Sequence, residues 1–277
     1  MDPRREGPFD QILANIDRSR RGDRETNFSV GPFTLCWDYA RPTLGSTVFT
    51  ASDVRKLVRC ANEEPPWGSI PTNELLVEWS GLEWIVERAP RLAPAVSGAG
   101  LTVSTNPLLI KRSDTNAGRV PALVGAEIEI VDPDSDPREL LAAWDFMDSR
   151  APVPPRTADV TLEQIRLAAA SVSEFEVGLT MESRAFGGAS EAVVRLDGRI
   201  VAAGMHERSL DAAEITSLAV LPPFRRRGFG TALAAALAAD AFDGGADLVF
   251  VESAPEAATM YERAGFQLIG AVGRADL

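Results

Sequence analysis

Apolar and polar positions along this chain follow two periods, and the second half carries the cleaner pattern. Ala126-Glu-Ile-Glu-Ile-Val-Asp132 alternates as a strand with one buried face does. Helices are predicted near 137–147 and 161–173, the second starting from the capping box Thr161-x-x-Gln164. Glu191-Ala-Val-Val-Arg-Leu196 and Arg199-Ile-Val-Ala-Ala-Gly-Met-His206 read as a hairpin turned by Asp197-Gly198. Ala213 to Leu221 is the next strand, and 174–190 reads as a loop. An alanine-rich helix from Thr231 to Phe242 closes on Gly244-Gly245, and Leu248-Val-Phe-Val-Glu252 is a short buried strand. The order is βααβββαβαβ. Only 11 residues follow Gly265-Phe266, room for a single strand.

In the first half, a helix near 52–62 and strands at Leu82-Glu-Trp-Ile85 and Leu108-Leu-Ile-Lys111 are expected. The polar, turn-rich residues 112–124 mark a boundary, giving a first domain over 1–115, a linker over 116–124 and a second domain over 125–277. An internal echo joins the two halves. Val86 to Leu101 aligns without a gap on Val251 to Phe266 at an offset of 165, with Val86, Glu87, Ala89, Pro90, Ala93, Ala99 and Gly100 recurring. A strand precedes and follows each copy, so the chain reads as two copies of one α/β fold, each a twisted mixed β-sheet flanked by helices.

Composition narrows the class. The 277 residues are 45% hydrophobic and hold no apolar run long enough for a bilayer span, so a soluble protein is expected. Met1-Asp-Pro-Arg-Arg lacks the apolar core of a secretion signal, and Cys36 and Cys60 have no metal-ligand spacing, which points to a cytoplasmic protein without a metal. A net charge of −12 argues against nucleic acid as a partner and favours a basic acceptor. Only Lys56 and Lys111 are lysines among 28 basic residues, a bias typical of a high-GC bacterial genome.

Leu218 to Leu233 carries the candidate chemistry. Arg225-x-x-Gly228-x-Gly230 lies between a strand ending at Pro222-Pro223 and the helix near Thr231, where free backbone N–H groups converge into an anion site. Glycines at 228 and 230 keep β-carbons away from that point, and Arg225, Arg226 and Arg227 add positive charge. Neither a Walker ending nor a three-glycine dinucleotide fingerprint is present.

At these residues the chain resembles the GNAT acyltransferase superfamily, whose Arg/Gln-x-x-Gly-x-Gly/Ala motif cradles the pyrophosphate of acetyl-coenzyme A. Glu252 to Phe266, with Met260-Tyr-Glu-Arg-Ala-Gly-Phe266, is similar to a second motif of the family: a strand end, a short helix bearing a tyrosine, then Gly-Phe entering a strand. The resemblance extends to tandem actinobacterial chains through Gly31-Pro-Phe33, Tyr39-Ala-Arg-Pro42 and the echo in the first half. Val96 stands where Tyr261 stands, and the segment between Tyr39-Ala-Arg-Pro42 and the helix near 52–62 has no Arg-x-x-Gly-x-Gly, so the first copy is expected to be degenerate.

The resemblance implies an N-acetyltransferase using acetyl-CoA in a direct ternary complex. Arg225 to Gly228, Phe229, Gly230 and Thr231 would hold the diphosphate, and the main chain of Leu218, Ala219 and Val220 the pantetheine arm, with an N–H near Val220 facing the oxyanion. Tyr261 would protonate the leaving thiolate. An alkylamine with a pKa of about 10 arrives protonated, so a base is needed. Ala213-Glu-Ile-x-x-x-Ala-Val resembles the strand that bears a glutamate base in histone-type members, which nominates Glu214; a salt-bridged or solvated Glu214 is the alternative, and His206, the single histidine, is a second candidate. The acceptor stays open among small amines, aminoglycoside-like antibiotics, amino acids and protein lysines or N-termini. A homodimer or the other domain would cover the open sheet edge left by a single last strand. The competing expectation is an acetyl-CoA-binding regulatory protein without turnover.

Overall fold

A computed structural model of the chain describes residues 12–13, 16, 29–35, 39–43, 46, 48–62, 81–113, 122–147, 160–185 and 189–276. Contacts divide the chain into two units, Met1–Leu108 with Ile269–Leu277, and Leu109–Leu268. The chain leaves the first unit within strand β5 (Ser104–Arg112) and returns within the last strand, Gln267–Asp276. This division differs from the boundary expected at 116–124, a segment of which residues 116–121 lie outside the described residues, as does Cys36.

The first unit contains β1 (Ser29–Val30), β2 (Phe33–Leu35), β3 (Tyr39–Pro42), α1 (Ala51–Asn62), β4 (Gly81–Ile85) and α2 (Leu92–Gly98). Antiparallel β1, β2 and β3 are followed in the sheet by β4, parallel to β3, and then by the chain's last strand, antiparallel to β4. Phe33, Val54, Leu57, Leu82, Trp84, Leu92 and Val96 form its core. The final strand is tailored to this unit: Arg274 pairs with buried Glu83, and Gly273 lies against the Trp84 indole where a β-carbon would collide.

The second unit adds β6 (Ala126–Ile130), α3 (Arg138–Met147), α4 (Leu162–Ala169), α5 (Glu174–Ala185), β7 (Ala189–Leu196), β8 (Arg199–Ser209), β9 (Ala212–Val220), α6 (Phe229–Asp243), β10 (Leu248–Glu252) and α7 (Ala258–Arg263). The order across its sheet is β5-β10-β9-β8-β7-β6, with β6 to β9 antiparallel in turn and β10 parallel to β9. Asp197 at φ 52° and Gly198 at φ 75° make the left-handed pair that a tight hairpin turn requires. Thr161 and Gln164 form the expected capping box. The alanine-rich α6 is buried along most of its length, packing small side chains closely against the sheet. It begins at Phe229, two residues ahead of the expected start.

One element departs from expectation. Residues 174–185, read as loop, form α5, held by a capping box in which Glu176 N–H donates to Ser173 Oγ at 3.2 Å and Ser173 N–H to Glu176 Oε2 at 2.9 Å. Buried Arg184 fastens its end, donating from Nε to Glu191 Oε2 of β7 at 2.7 Å and from Nη1 to the Ser135 carbonyl at 2.8 Å. Among the described residues no helix is long and apolar enough to cross a membrane.

Candidate active site

The site begins as a defect in the sheet. Strands β9 and β10 pair at Leu248↔Ala212, Val249↔Ala213 and Phe250↔Glu214, and their ladder ends there. On its other side β9 stays paired with β8 as far as Val220, but the register slips between Met205↔Ser217 and His206↔Ile215, leaving Thr216 as an extra residue. Such a bulge bends its strand. Past Glu214, β9 therefore presents main-chain donors and acceptors that β10 does not take up. Leu218, Ala219 and Val220 lie on this open stretch, each half-buried.

Strand β9 runs into a turn with unusual backbone. Arg226 has φ 65° and Gly228 φ 87°, while Arg227 between them does not, an alternation of hand that turns successive N–H groups inward. The first bond of α6 runs from Ala232 N–H to the Gly228 carbonyl, so Phe229, Gly230 and Thr231 donate to no helical acceptor. No side chain caps this end, and no acidic residue sits in its first turn. Arg225 Nε donates to the Val220 carbonyl at 3.0 Å, tying the turn to the strand, and the Arg227 guanidinium lies 5.5 and 5.2 Å from the Phe224 and Phe229 rings. The two glycines differ in purpose. A β-carbon on Gly228 would meet nothing within 4 Å, so this position needs glycine for its φ; one on Gly230 would stand 2.5 Å from Met260 Sδ, so there glycine makes room for the helix that carries Tyr261.

Tyr261 owes its place to the way α7 ends. Phe266 N–H donates to the Tyr261 carbonyl at 3.1 Å and Gly265 N–H to the Glu262 carbonyl at 3.0 Å, with Gly265 at φ 91°. These are the two bonds of a Schellman stop, and the hydrophobic contact that accompanies it is the Tyr261–Phe266 ring pair, edge to face at 5.6 Å. The Gly-Phe dipeptide after the helix is thus what fixes the tyrosine. Burial pushes the Tyr261 hydroxyl well above its ordinary pKa, so the phenol holds its proton throughout the neutral range.

Glu214 and His206 are not brought together. Residues opposite one another in a ladder share a face and neighbours along a strand do not, so His206↔Ile215 and Glu207↔Glu214 place the two candidates on opposite faces of the sheet. His206 is on the α6 face, buried, with Nε2 at 2.8 Å from Asp240 Oδ2. The Asp240 carboxyl is held below its usual range, first by that bond and further by the Ser190 hydroxyl. An imidazole so engaged is a structural tie between β8 and the far end of α6. Glu214 is half-buried on the opposite face, at the last rung of the β9–β10 ladder.

The first unit repeats the helix stop and, among the described residues, shows no anion turn. Leu101 N–H reaches the Val96 carbonyl at 3.3 Å and Gly100 N–H the Ser97 carbonyl at 3.0 Å, with Gly100 at φ 95°. These are the residues aligned with Phe266, Tyr261, Gly265 and Glu262, and the position of the tyrosine holds Val96. Helix α1, which follows β3 as α6 follows β9, is closed by its own side chains: Asp53 N–H donates to Thr50 Oγ1 at 3.2 Å, and Thr50 N–H to Asp53 Oδ2 at 2.9 Å. A carboxylate at that end fills the amides and repels phosphate. Sequence reasoning missed this cap, Lys111, and the Ser190–Asp240–His206 cluster; Thr50-x-x-Asp53 was a readable signal for the first, whereas the others depend on register.

Residues 163–266 match the Acetyltransferase (GNAT) family. Over 96% of this chain and 94% of the other, the fold is similar to a GCN5-related N-acetyltransferase from Kribbella flavida, at TM-score 0.62 and 19% identity. A functionally unknown conserved protein from Staphylococcus epidermidis matches at TM-score 0.58 and 13% identity over 94% and 95% of the two chains. A tandem GNAT protein from the clavulanic acid biosynthesis pathway matches at 0.53 and 15%, over 88% and 77%. At these identities the likeness is one of fold. No curated protein matches the sequence.

Proposed function

We propose, from the match of residues 163–266 to the GNAT acetyltransferase family, that this chain is an N-acetyltransferase that moves an acetyl group from acetyl-CoA to a primary amine in one ternary complex. The observation that carries the reading is the conjunction, at one end of β9, of an open strand edge with an uncapped helix start lined by arginines. The residues present fit the cofactor: the N–H groups of Arg226 to Thr231 suit its diphosphate, and the edge of β9 that faces away from β8 along Leu218 to Val220, past the end of the β10 ladder, suits an amide-bearing arm. Bound there, acetyl-CoA supplies an activated acetyl thioester.

The chain's own groups divide the proton work. Glu214 takes the proton of the incoming ammonium directly or through water. The Tyr261 hydroxyl gives its proton to the departing sulfur, and its raised pKa keeps that proton in place until the thiolate forms. A main-chain N–H near Val220 faces the oxygen that gains charge. The buried place of His206 on the α6 face, bonded to Asp240, argues against it as the base. The first unit, with Val96 for Tyr261 and its helix closed by Thr50 and Asp53, is a degenerate copy that binds no cofactor.

The test is thiol release from acetyl-CoA against a panel of an amino acid, a polyamine, an aminoglycoside and a lysine peptide, with calorimetry of acetyl-CoA alone. One binding site per chain and amine-dependent release are expected. Tight binding with no amine consumed would replace this reading with that of a regulatory acetyl-CoA sensor, and absence of binding would remove both.

A further inference from the structure

Lysine is rare in this chain. Only Lys56 and Lys111 stand among 28 basic residues, and Lys111 is 3% exposed. A buried ammonium is costly unless it is used. Lys111 lies on β5 within the second unit, and its Nζ donates to the Ala264 carbonyl at 2.9 Å. That carbonyl belongs to the residue at the C-terminal cap of α7, where helix carbonyls lack partners and the helix dipole is negative. The left-handed turn at Gly265 folds over the same amine: a β-carbon there would lie 3.5 Å from Nζ. The Phe266 ring is next, its centroid 5.9 Å from Nζ, and the Tyr261 ring stands edge to face with it at 5.6 Å. A guanidinium is larger than this ammonium and carries more donors to satisfy, so the two are not interchangeable in a buried place.

We infer that Lys111 is a positioning residue for Tyr261, holding the Ala264-Gly265-Phe266 stop against which the tyrosine ring is set. It rests on Tyr261 as the acid proposed above. The strand that follows the first repeat thereby supplies the catalytic unit with the prop for its proton donor, which gives the N-terminal half of the sequence a part in a reaction for which it has no cofactor turn. Without the ammonium, the Ala264 carbonyl loses its donor and the Phe266 ring its cation, and the tyrosine ring loosens toward water.

The experiment is an alkaline absorbance titration of the full chain, with and without Lys111→Met, each corrected by its Tyr261→Phe counterpart so that only Tyr261 is read. Lys111 Nζ can donate to the Ala264 carbonyl in either protonation state, so the comparison with methionine reads the loss of that donor. In Lys111→Met, Tyr261 is expected to ionise about one pH unit earlier, a tenfold change. The melting temperature should hold, because an apolar isostere replaces a buried charge. Lys111→Gln, which keeps a donor, should restore most of the shift, and Phe266→Leu, an independent variant, should reproduce it. A folded Lys111→Met or Phe266→Leu chain with the wild-type titration overturns the inference. With turnover, kcat in Lys111→Met should fall about tenfold with KM for acetyl-CoA little changed, and no further loss should appear in the Tyr261→Phe background. Equal loss in both backgrounds also overturns it. A Tyr261→Phe chain of unchanged kcat would instead remove the acid role, while the titration still decides on Lys111.

Discussion

Arg274 faces Glu83 across the ladder of the last strand with β4, Nη2 to Oε2 at 2.8 Å, and Arg41 of β3 grips the other carboxylate oxygen at 2.9 Å. Glu83 is 3% exposed, so its charge is tolerated only because two guanidinium groups satisfy it.

The pair ties the C-terminal strand into the first unit, and Glu83→Gln should show it. Removing the charge weakens the hold on both guanidinium groups, of which Arg274 is partly exposed, and a loss of about 2 kcal/mol is expected. Urea unfolding followed by tryptophan fluorescence measures it, with Trp84 next to the substitution as the reporter. A change below about 0.5 kcal/mol would mean that the strand is held by its backbone ladder alone.

Much of this was readable locally. Asp197-Gly198, Thr161-x-x-Gln164 and Gly265-Phe266 each encode a turn or stop within a few residues, and each forms as its chemistry dictates. Helix α5 was missed because most of its residues are exposed and its apolar positions trace no clear stripe; its Ser173-x-x-Glu176 cap was the signal available. The placement of the last strand could not be read. Strands β5 and Gln267–Asp276 follow equivalent helices, yet β5 enters the second unit and the last strand the first, and partner choice in a sheet is set by contacts far apart in sequence. The opposite faces of His206 and Glu214 likewise hang on one bulge at Thr216, which no pattern in β9 announces.

The two glycines of the anion turn should separate in their effects. Gly228→Val forces a β-branched residue to φ 87°, a conformation it resists by about 1–3 kcal/mol, and the turn must deform to escape. Acetyl-CoA affinity should fall by more than about tenfold in calorimetry, equivalent to about 1.4 kcal/mol. Gly230→Ala instead presses on Met260, so its damage should fall on kcat and be relieved by Met260→Ala. Equal loss of affinity in both variants would contradict the division.

Asp240 predicts the acid limb of stability. His206, then Ser190, hold its carboxyl below the usual range, with Arg208 adding a smaller attraction. A depressed folded value stabilises above the unfolded value of about 3.9, and that contribution is lost as pH falls through the folded value. Wild type and Asp240→Asn should therefore converge in urea midpoints as pH falls from about 4 through the folded value of Asp240. A difference that persists unchanged at pH 3 would show that the carboxylate's ionisation is not what the fold uses.

Tyr261 gives the sharpest test of the chemistry, because burial keeps the phenol protonated at neutral pH while making it a weaker acid. A phenol whose folded pKa is raised keeps its proton, so stability is intact below the unfolded value of about 10 and declines as pH climbs past it, the unfolded chain ionising first. The alkaline arm of any rate profile should then owe nothing to Tyr261, and the acid arm should follow the base. Tyr261→Phe, which preserves the edge contact with Phe266, should keep the fold and the affinity for acetyl-CoA and lower kcat by about 10²-fold. If kcat is retained, the thiolate leaves without this proton and Tyr261 is a packing residue over the open edge of β9. A Phe variant that instead loses cofactor affinity with kcat intact would assign the hydroxyl to binding.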